Sequence, residues 1–426
     1  MTETGTEPRA TVAVEMVQRR TVRTLVGSQM LGGIGVASGI AVAAILAEEM
    51  LGSAGLAGLA STAQVLGGAI LAVPMARLMA GYGRRAGLLA GYLTGAAGAA
   101  LAVLAGVWSS FPLLLLAAAL FGAATASNNQ ARYAATDLAT PQHRGRSLAL
   151  VVWATTVGAV LGPNLIGVAG DLAGVLGLPR LVGPFLFSLV GFLLAGGLLL
   201  LLLRPDPLVL ARQVAADAGE DTRSHGSVLR GFRVIVHRPA ALLGVIAVAI
   251  GHTVMVAVMV MTPLHMHDGG AELQLVGFVI SVHILGMYAF SPLTGALVDR
   301  VGARPVILAG VLLFGGATFL AGRAAEGWSM GLMLGLFLLG VGWSCTMVAG
   351  STLLSAAVPV SERPGVQGAG DLTMGLAAAV GGALAGLVVG GWGYGWLCVG
   401  AAVLAGCLLI TTLLLRPDPV RDAERV

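Results

Sequence analysis

The chain has 426 residues, 57% of them hydrophobic and only 10% charged, with 24 Lys and Arg against 20 Asp and Glu. Soluble domains carry about 25% charged residues, so a water-soluble globular protein is excluded, in keeping with a mean hydropathy of +0.91. The basic pI of about 9.3 does not mark a nucleic-acid binder, because the arginines are scattered over loops between apolar runs.

In chain order, residues 1–22 are polar and end in Arg19 and Arg20, with Arg23 just beyond. The apolar stretch that follows is too long for a signal-peptide core, so no cleavable leader is expected. The arginines there read as a cytoplasmic anchor for the first span, not as a twin-arginine signal. Spans are predicted at 24–47, 54–80, 86–108, 111–135, 146–170 and 180–203, each long enough to cross a bilayer at about 1.5 Å per residue. A hydrophilic linker follows at 204–238, with Arg204, Arg212, Arg223, Arg230, Arg233 and Arg238. Six further spans are predicted at 239–264, 273–298, 304–322, 330–355, 366–389 and 395–415. The fold expected is an all-α membrane protein of twelve transmembrane helices in two six-helix bundles, 1–203 and 239–426.

With both termini inside, the predicted outer loops hold only Arg180 and Arg323, as the positive-inside rule requires. The 64 glycines suit helices that pack closely in lipid. Cys345, Cys398 and Cys407 lie in apolar runs without C-x-x-C spacing, which points away from disulfides and zinc.

The two halves repeat. Arg204-Pro205-Asp206-Pro207 after the sixth span returns as Arg416-Pro417-Asp418-Pro419 after the twelfth. Pro141 with Arg144 after the fourth span is echoed by Pro359 with Arg363 after the tenth. Ala76 to Arg85, between spans two and three, has its counterpart in Gly295 to Arg304. Order is kept at a shift of a little over two hundred residues, which implies two parallel six-helix repeats.

Gly295-Ala296-Leu297-Val298-Asp299-Arg300-Val301-Gly302-Ala303-Arg304 resembles the loop signature G-x-L-x-D-R-x-G-x-[RK] of major facilitator transporters. The resemblance implies the major facilitator fold and a charge relay at the cytoplasmic ends that latches an outward-open state. Gly295, Asp299, Arg300 and Arg304 would serve that gate. In the first copy Ala76 replaces Gly and Ala80 replaces Asp, while Gly83, Arg84 and Arg85 remain. Arg84 is thus either a gate residue or part of a basic turn that only fixes topology.

Methionine and histidine carry the cargo reading. Met255 and Met259 in span seven, and His283 and Met287 in span eight, are each i, i+4 pairs and share a helix face. Met255 and His283 lie at matching depths, roughly 14 Å below the outer end. Thioethers are soft neutral ligands that select Cu(I) over Mg, Ca or Mn, and an ionisable residue inside a span is a functional hypothesis by default. The rival reading is core filling, since Met75 and Met79 show the same spacing without a histidine. M-x-x-x-M followed by H-x-x-x-M resembles the pairing of CcoA-like copper importers. That resemblance implies copper as transported cargo, with no resident cofactor. It also implies a bacterial cytoplasmic membrane and a role in haem–copper oxidase assembly, with a copper-accepting chaperone on the cytoplasmic side as a partner.

His265, Met266 and His267 near the outer mouth would collect the ion, or else sit as polar residues at an interface. His252 is a further candidate ligand, and Cys345 is either a ligand or a packing residue. Asp371, near the start of span eleven, is a candidate for proton coupling, with helix-end solvation as the rival. Asn128, Asn129, Gln130 and Arg132 form a polar cluster in span four that must face the cavity or a neighbour, with snorkelling as the rival reading for Arg132 near the inner end. Gly158-Ala159-Val160-Leu161-Gly162-Pro163 resembles the G-x-x-x-G-P element of drug/proton antiporters, though close packing and a bend explain it equally. The alternatives to copper import are a proton-coupled exporter of drugs or small metabolites and a non-transporting metal sensor. An enzyme is not expected, since neither H-E-x-x-H nor G-x-S-x-G occurs.

Overall fold

A computed structural model describes residues 7–51, 54–219 and 226–415. Arg223 and the Arg416–Pro419 copy of the repeat lie outside the described residues. Sixteen α-helices are present among them, and twelve helical segments are long and apolar enough to cross a membrane. The protein is therefore all-helical and multi-pass, as the recurring apolar runs predict.

The chain divides into two units. Unit 1 is Met1–Gly231 together with the short segment Pro359–Ala369, and unit 2 is Phe232–Val358 with Gly370–Val426. Unit 1 contains α1 (Glu7–Leu51), α2 (Ala54–Tyr82), α3 (Arg84–Val107), α4 (Phe111–Ala134), α5 (Arg144–Asn164), α6 (Ile166–Val175), α7 (Gly183–Leu202) and α8 (Pro207–Asp217). The linker helix α9 (Val228–His237) starts in unit 1 and ends in unit 2. Unit 2 continues with α10 (Pro239–Asp268), α11 (Leu273–Tyr288), α12 (Ser291–Val301), α13 (Ala303–Gly322), α14 (Met330–Ala356) and α16 (Tyr394–Leu414). Between the last two, α15 (Arg363–Trp392) begins in unit 1 and runs on in unit 2.

Two spans expected as single helices are interrupted, and proline accounts for both. Pro163 stands inside the last turn of α5, where its ring and missing N–H disrupt the ladder, and α6 restarts at Ile166. The eighth span breaks at Ala289 and Phe290, and Pro292 opens α12 at a position where no N–H is needed. The linker, expected only as a hydrophilic stretch, forms α8 and α9. Asp206 caps α8 by accepting from the Leu208 and Val209 amides at 3.0 and 3.2 Å.

Small residues let these helices approach. In unit 1, α1 meets α5 where Gly33 and Gly158 touch backbone to backbone, and a Cβ on Gly68 of α2 would stand 2.9 Å from the Gly122 carbonyl oxygen of α4. Gly162 leans on Ala37 and Ser38, so the Gly158-to-Pro163 element supplies close packing plus a bend. In unit 2, α14 is the central helix. It packs along α10, α11 and α13, whereas α10 and α11 touch each other only slightly.

Candidate functional site

The most densely bonded polar group in unit 1 grows from the degenerate loop copy. Gly83 turns the chain at φ 90° and hands it into α3, placing Arg84 at the first helical position. That conformation is closed to residues with a Cβ. It is also crowded, because a Cβ there would lie 2.5 Å from the Asp206 carboxyl carbon. Asp206 in turn accepts from the Arg85 amide at 2.7 Å, so the Arg-Pro-Asp-Pro element fastens the loop.

Arg84 is completely buried and grips Asp137 in a fork, with Nε to Oδ2 at 2.7 Å and Nη2 to Oδ1 at 3.1 Å. Its Nη2 also donates to Gln367 Oε1 at 2.6 Å, and Nη1 lies 3.5 Å from Met79 Sδ. Arg363 approaches the same carboxylate at 3.5 Å and donates to the Asp137 carbonyl oxygen at 3.3 Å. Nearby, Arg230 of α9 pairs with Glu362 at 2.7 Å. Arg363 and Gln367 belong to the opening turns of α15 that lie in unit 1. A buried, bidentate, multiply bonded guanidinium is the geometry in which an ion pair resists loss of either partner.

Asp137 is the residue the sequence reading missed. Ala80 removes the signature carboxylate, and Asp137, four residues before the Pro141 turn, supplies one from elsewhere. Meanwhile Arg212 donates to the Ala80 carbonyl at 2.8 Å, so linker helix α8 covers that position. An acid directly after a polar span and just before the Pro141 turn was the available signal.

The more faithful second copy does something simpler. Gly295 is buried, Asp299 half-buried and Arg300 exposed. Arg304 donates through Nε to the Thr412 carbonyl at 2.9 Å and through Nη2 to Leu413 at 3.0 Å. It therefore satisfies carbonyls at the C-terminal end of α16, where a cation is favoured.

Of the four predicted ligands, His283 is the one whose partner is defined, and that partner lies on α14. His283 is fully buried and turned toward α14, with Nδ1 2.8 Å from the Leu336 carbonyl oxygen. A carbonyl only accepts, so the ring proton sits on Nδ1, and Nε2 is buried without a hydrogen-bond partner. Met287 and Met255 are buried and Met259 half-buried, the first on α11 and the other two on α10. His265, Met266 and His267 occupy successive positions about 100° apart around α10. His265 stacks on Tyr394 at 4.3 Å, Met266 is fully buried and His267 is exposed, so the three do not form one collecting surface. Cys345 packs against Gly310 of α13. Among the described residues, no three His, Cys, Asp or Glu side chains form a metal-holding group.

What the middle of unit 2 does assemble is an aromatic cluster. Trp343 of α14 donates its indole N–H to Nδ1 of His252 on α10 at 2.9 Å. Tyr288, the last residue of α11 before the break, packs edge-on against Trp343 at 5.3 Å and 76°. Because indole only donates, His252 accepts at Nδ1 and in its neutral form carries its proton on Nε2. His252 and Trp343 each lie thirteen residues into their helices, about 20 Å from the start, so both sit near mid-span. Asp371, in the third turn of α15, is only 5% exposed. Arg132 is buried, as are Asn128 and Gln130, and does not snorkel. It bonds the Asn129 carbonyl at 2.9 Å and the Tyr133 hydroxyl at 3.2 Å, while Tyr92 donates to Asn128 at 2.5 Å.

A family profile described as Major Facilitator Superfamily matches residues 25–272 and 244–426. Two Bacillus subtilis (strain 168) proteins, named as uncharacterized MFS-type transporters YddS and YdeG, are 38% and 39% identical to the chain. The matches cover 92% and 96% of the chain and 89% and 93% of the relatives. The riboflavin transporter RfnT of Brucella anthropi is 29% identical over 84% of the chain and 85% of its own length. Among solved structures, the proton:xylose symporter XylE superposes with a TM-score of 0.75 at 15% identity, over 94% of this chain and 95% of that one.

Proposed function

The chain belongs to the Major Facilitator Superfamily, and on that premise we propose that this secondary transporter carries a flat heteroaromatic organic solute, recognised at His252, Trp343 and Tyr288. The observation that carries this reading is the hydrogen-bonded His252–Trp343 pair beside the break in span eight. Transporters of this architecture place cargo near the bilayer middle, beside interrupted helices. Indole and phenol rings offer stacking surfaces, and the imidazole adds hydrogen-bonding capacity at the ring edge. RfnT, with a cargo built on such a ring system, supports the same class. This favours the organic-solute alternative over copper.

The Arg84–Asp137 network acts as the gate in this reading. While Arg84 holds Gln367 and Asp137 holds Arg363, the first turns of α15 stay fastened to unit 1. Alternating access requires that these bonds open and close once per cycle. Asp371 is the coupling group, since a carboxylate this buried within a span is costly unless it exchanges a proton or a partner.

One observation favours copper import as a second reading. An imidazole that donates one nitrogen to a backbone carbonyl and leaves the other buried and unbonded has the arrangement typical of metal-ligating histidines. His283 has it, with Met287 one turn away, and Met255 and Met259 on α10 would complete the soft ligand set. Import would then deliver Cu(I) across the cytoplasmic membrane to an accepting chaperone.

The deciding experiment is uptake into proteoliposomes of radiolabelled riboflavin, as a probe of the organic class, and of radioactive copper. Wild type is compared with Trp343→Leu, His283→Ala, Met259→Ala and Asp371→Asn. Stacking is worth about 1–3 kcal/mol per aromatic side chain, so Trp343→Leu should weaken organic uptake roughly 5- to 150-fold, whereas His283→Ala should stay near wild type. Asp371→Asn should remove the dependence on a proton gradient. Copper uptake abolished by His283→Ala and Met259→Ala, with Trp343→Leu unaffected, would replace this conclusion by the second reading.

A further inference from the structure

The basic end of α1 holds a groove that neither the gate nor the cargo site uses. It has a volume of about 560 Å³ and lies between α1 and α7. Arg19, Arg20 and Arg23 line it together with the apolar Met16, Gly27, Leu198 and Leu202. The two helices approach closely at Gly27, where a Cβ would lie 3.0 Å from Leu198 Cδ2. Met16, Arg20, Arg23 and Gly27 follow helical spacing on one face of α1, and Leu198 and Leu202 follow it on α7.

The three arginines differ from most others at this level. Arg84, Arg212, Arg230, Arg238 and Arg304 each donate to acceptors within the protein. Among the described residues, the side chains of Arg19, Arg20 and Arg23 meet no hydrogen-bond or ion-pair partner, and all three are exposed. A second groove shares Arg19 and Arg23 on the α5 side, but Glu15, Gln18, Thr140 and Ser147 make it polar and partly acidic. Only the first groove joins an uncompensated triple positive charge to an apolar trough.

We propose that this groove is a binding site for an anionic phospholipid, its phosphate held by Arg19, Arg20 and Arg23 and one acyl chain lying along Leu198 and Leu202. By the positive-inside rule the arginines face the cytoplasm, so the lipid comes from the inner leaflet. Topology alone requires positive charge at this level. It does not require that the charge stand over a cleft with an apolar floor. Guanidinium forks match phosphate oxygens in paired hydrogen bonds, and each cation near an anionic surface contributes about a fivefold preference. Three together give a preference of about a hundredfold for anionic over zwitterionic lipid.

The test uses the full chain in a neutral detergent, titrated with phosphatidylglycerol or phosphatidylcholine in mixed micelles, with the thermal unfolding midpoint as readout. Phosphatidylglycerol should raise the midpoint saturably at far lower mole fraction than phosphatidylcholine. Arg19→Gln/Arg20→Gln/Arg23→Gln should abolish that difference, while the charge-matched Arg77→Gln/Arg85→Gln/Arg233→Gln should keep it. Because removing three arginines can disturb insertion, Leu202→Glu provides a second route, placing a carboxylate in the trough with every arginine intact. It should also lose the phosphatidylglycerol response. The proposal is overturned if Leu202→Glu responds like wild type, or if both triple variants lose the response equally, which would mean diffuse charge. It is overturned too if glycerol 3-phosphate in water reproduces the shift, which would assign the arginines to a free anion instead of a lipid.

Discussion

The two copies of the loop motif, Ala76–Arg85 and Gly295–Arg304, differ in the opposite sense from their sequences. The second copy matches the family signature at every defined position, yet its Arg304 satisfies two carbonyls at the end of α16. The first lacks the Gly, the Asp and the Arg that follows it, with Ala76, Ala80 and Gly81 in their places, yet its Arg84 sits fully buried among Asp137, Gln367 and Met79. A short signature records what a loop is able to do. Whether it does so depends on carboxylates and amides brought to it by distant segments, here the end of the fourth span and the start of the eleventh.

Substituting Asp137 tests this contrast most severely. Asp137→Asn leaves Arg84 charged, buried and half satisfied, and breaking one partner of a buried pair costs about 3–5 kcal/mol. A large drop in the unfolding midpoint and loss of transport are expected, measured in detergent and in proteoliposomes. An unchanged midpoint would mean that the pair is solvated in the working protein. The turn glycines sharpen the comparison next. Both have positive φ, 90° at Gly83 and 87° at Gly302, but only at Gly83 does an added Cβ meet a neighbour, the Asp206 carboxyl group. Backbone strain of this kind costs about 1–3 kcal/mol. Gly83→Ala should therefore destabilise more than Gly302→Ala, and equal midpoints would show that Asp206 moves aside freely.

Arg304→Gln should cost about 1–2 kcal/mol, from two charged hydrogen bonds at a helix end. Its effect on transport should be smaller than that of Arg84→Gln at equal expression. If the two variants impair transport alike, the gate is shared between the copies. The smallest effect is expected for Arg230→Gln, whose pair with Glu362 has one partner 46% exposed. Exposed pairs contribute about 0.2–1 kcal/mol, and raising the salt concentration should reduce even that difference.

Twelve spans, their order and the two-fold repeat were legible because hydropathy and loop arginines are local signals that a bilayer imposes on every span. The interruptions at Pro163 and Pro292 were visible as residues but not as breaks, since proline is tolerated inside many membrane helices. The site was less legible. His283 and Met287 share a helical face as their spacing requires, but spacing cannot say which neighbour an imidazole bonds, and His283 meets the Leu336 carbonyl of α14. In the sequence His252 reads as a further candidate metal ligand. Its partner turned out to be Trp343, ninety-one residues away, and no local pattern announces such a pair. Asp137 escaped for the same reason, because its importance lies in Arg84, Arg363 and Gln367, none of them near it in sequence.

Helix α15 has a mechanical consequence. Arg363, Gln367 and Asp371 recur every fourth residue, so they lie along one side of a single continuous rod, about 12 Å from first to last. A rod of this kind twists as one body. Rotation of the helix about its own axis turns Arg363, Gln367 and Asp371 through the same angle.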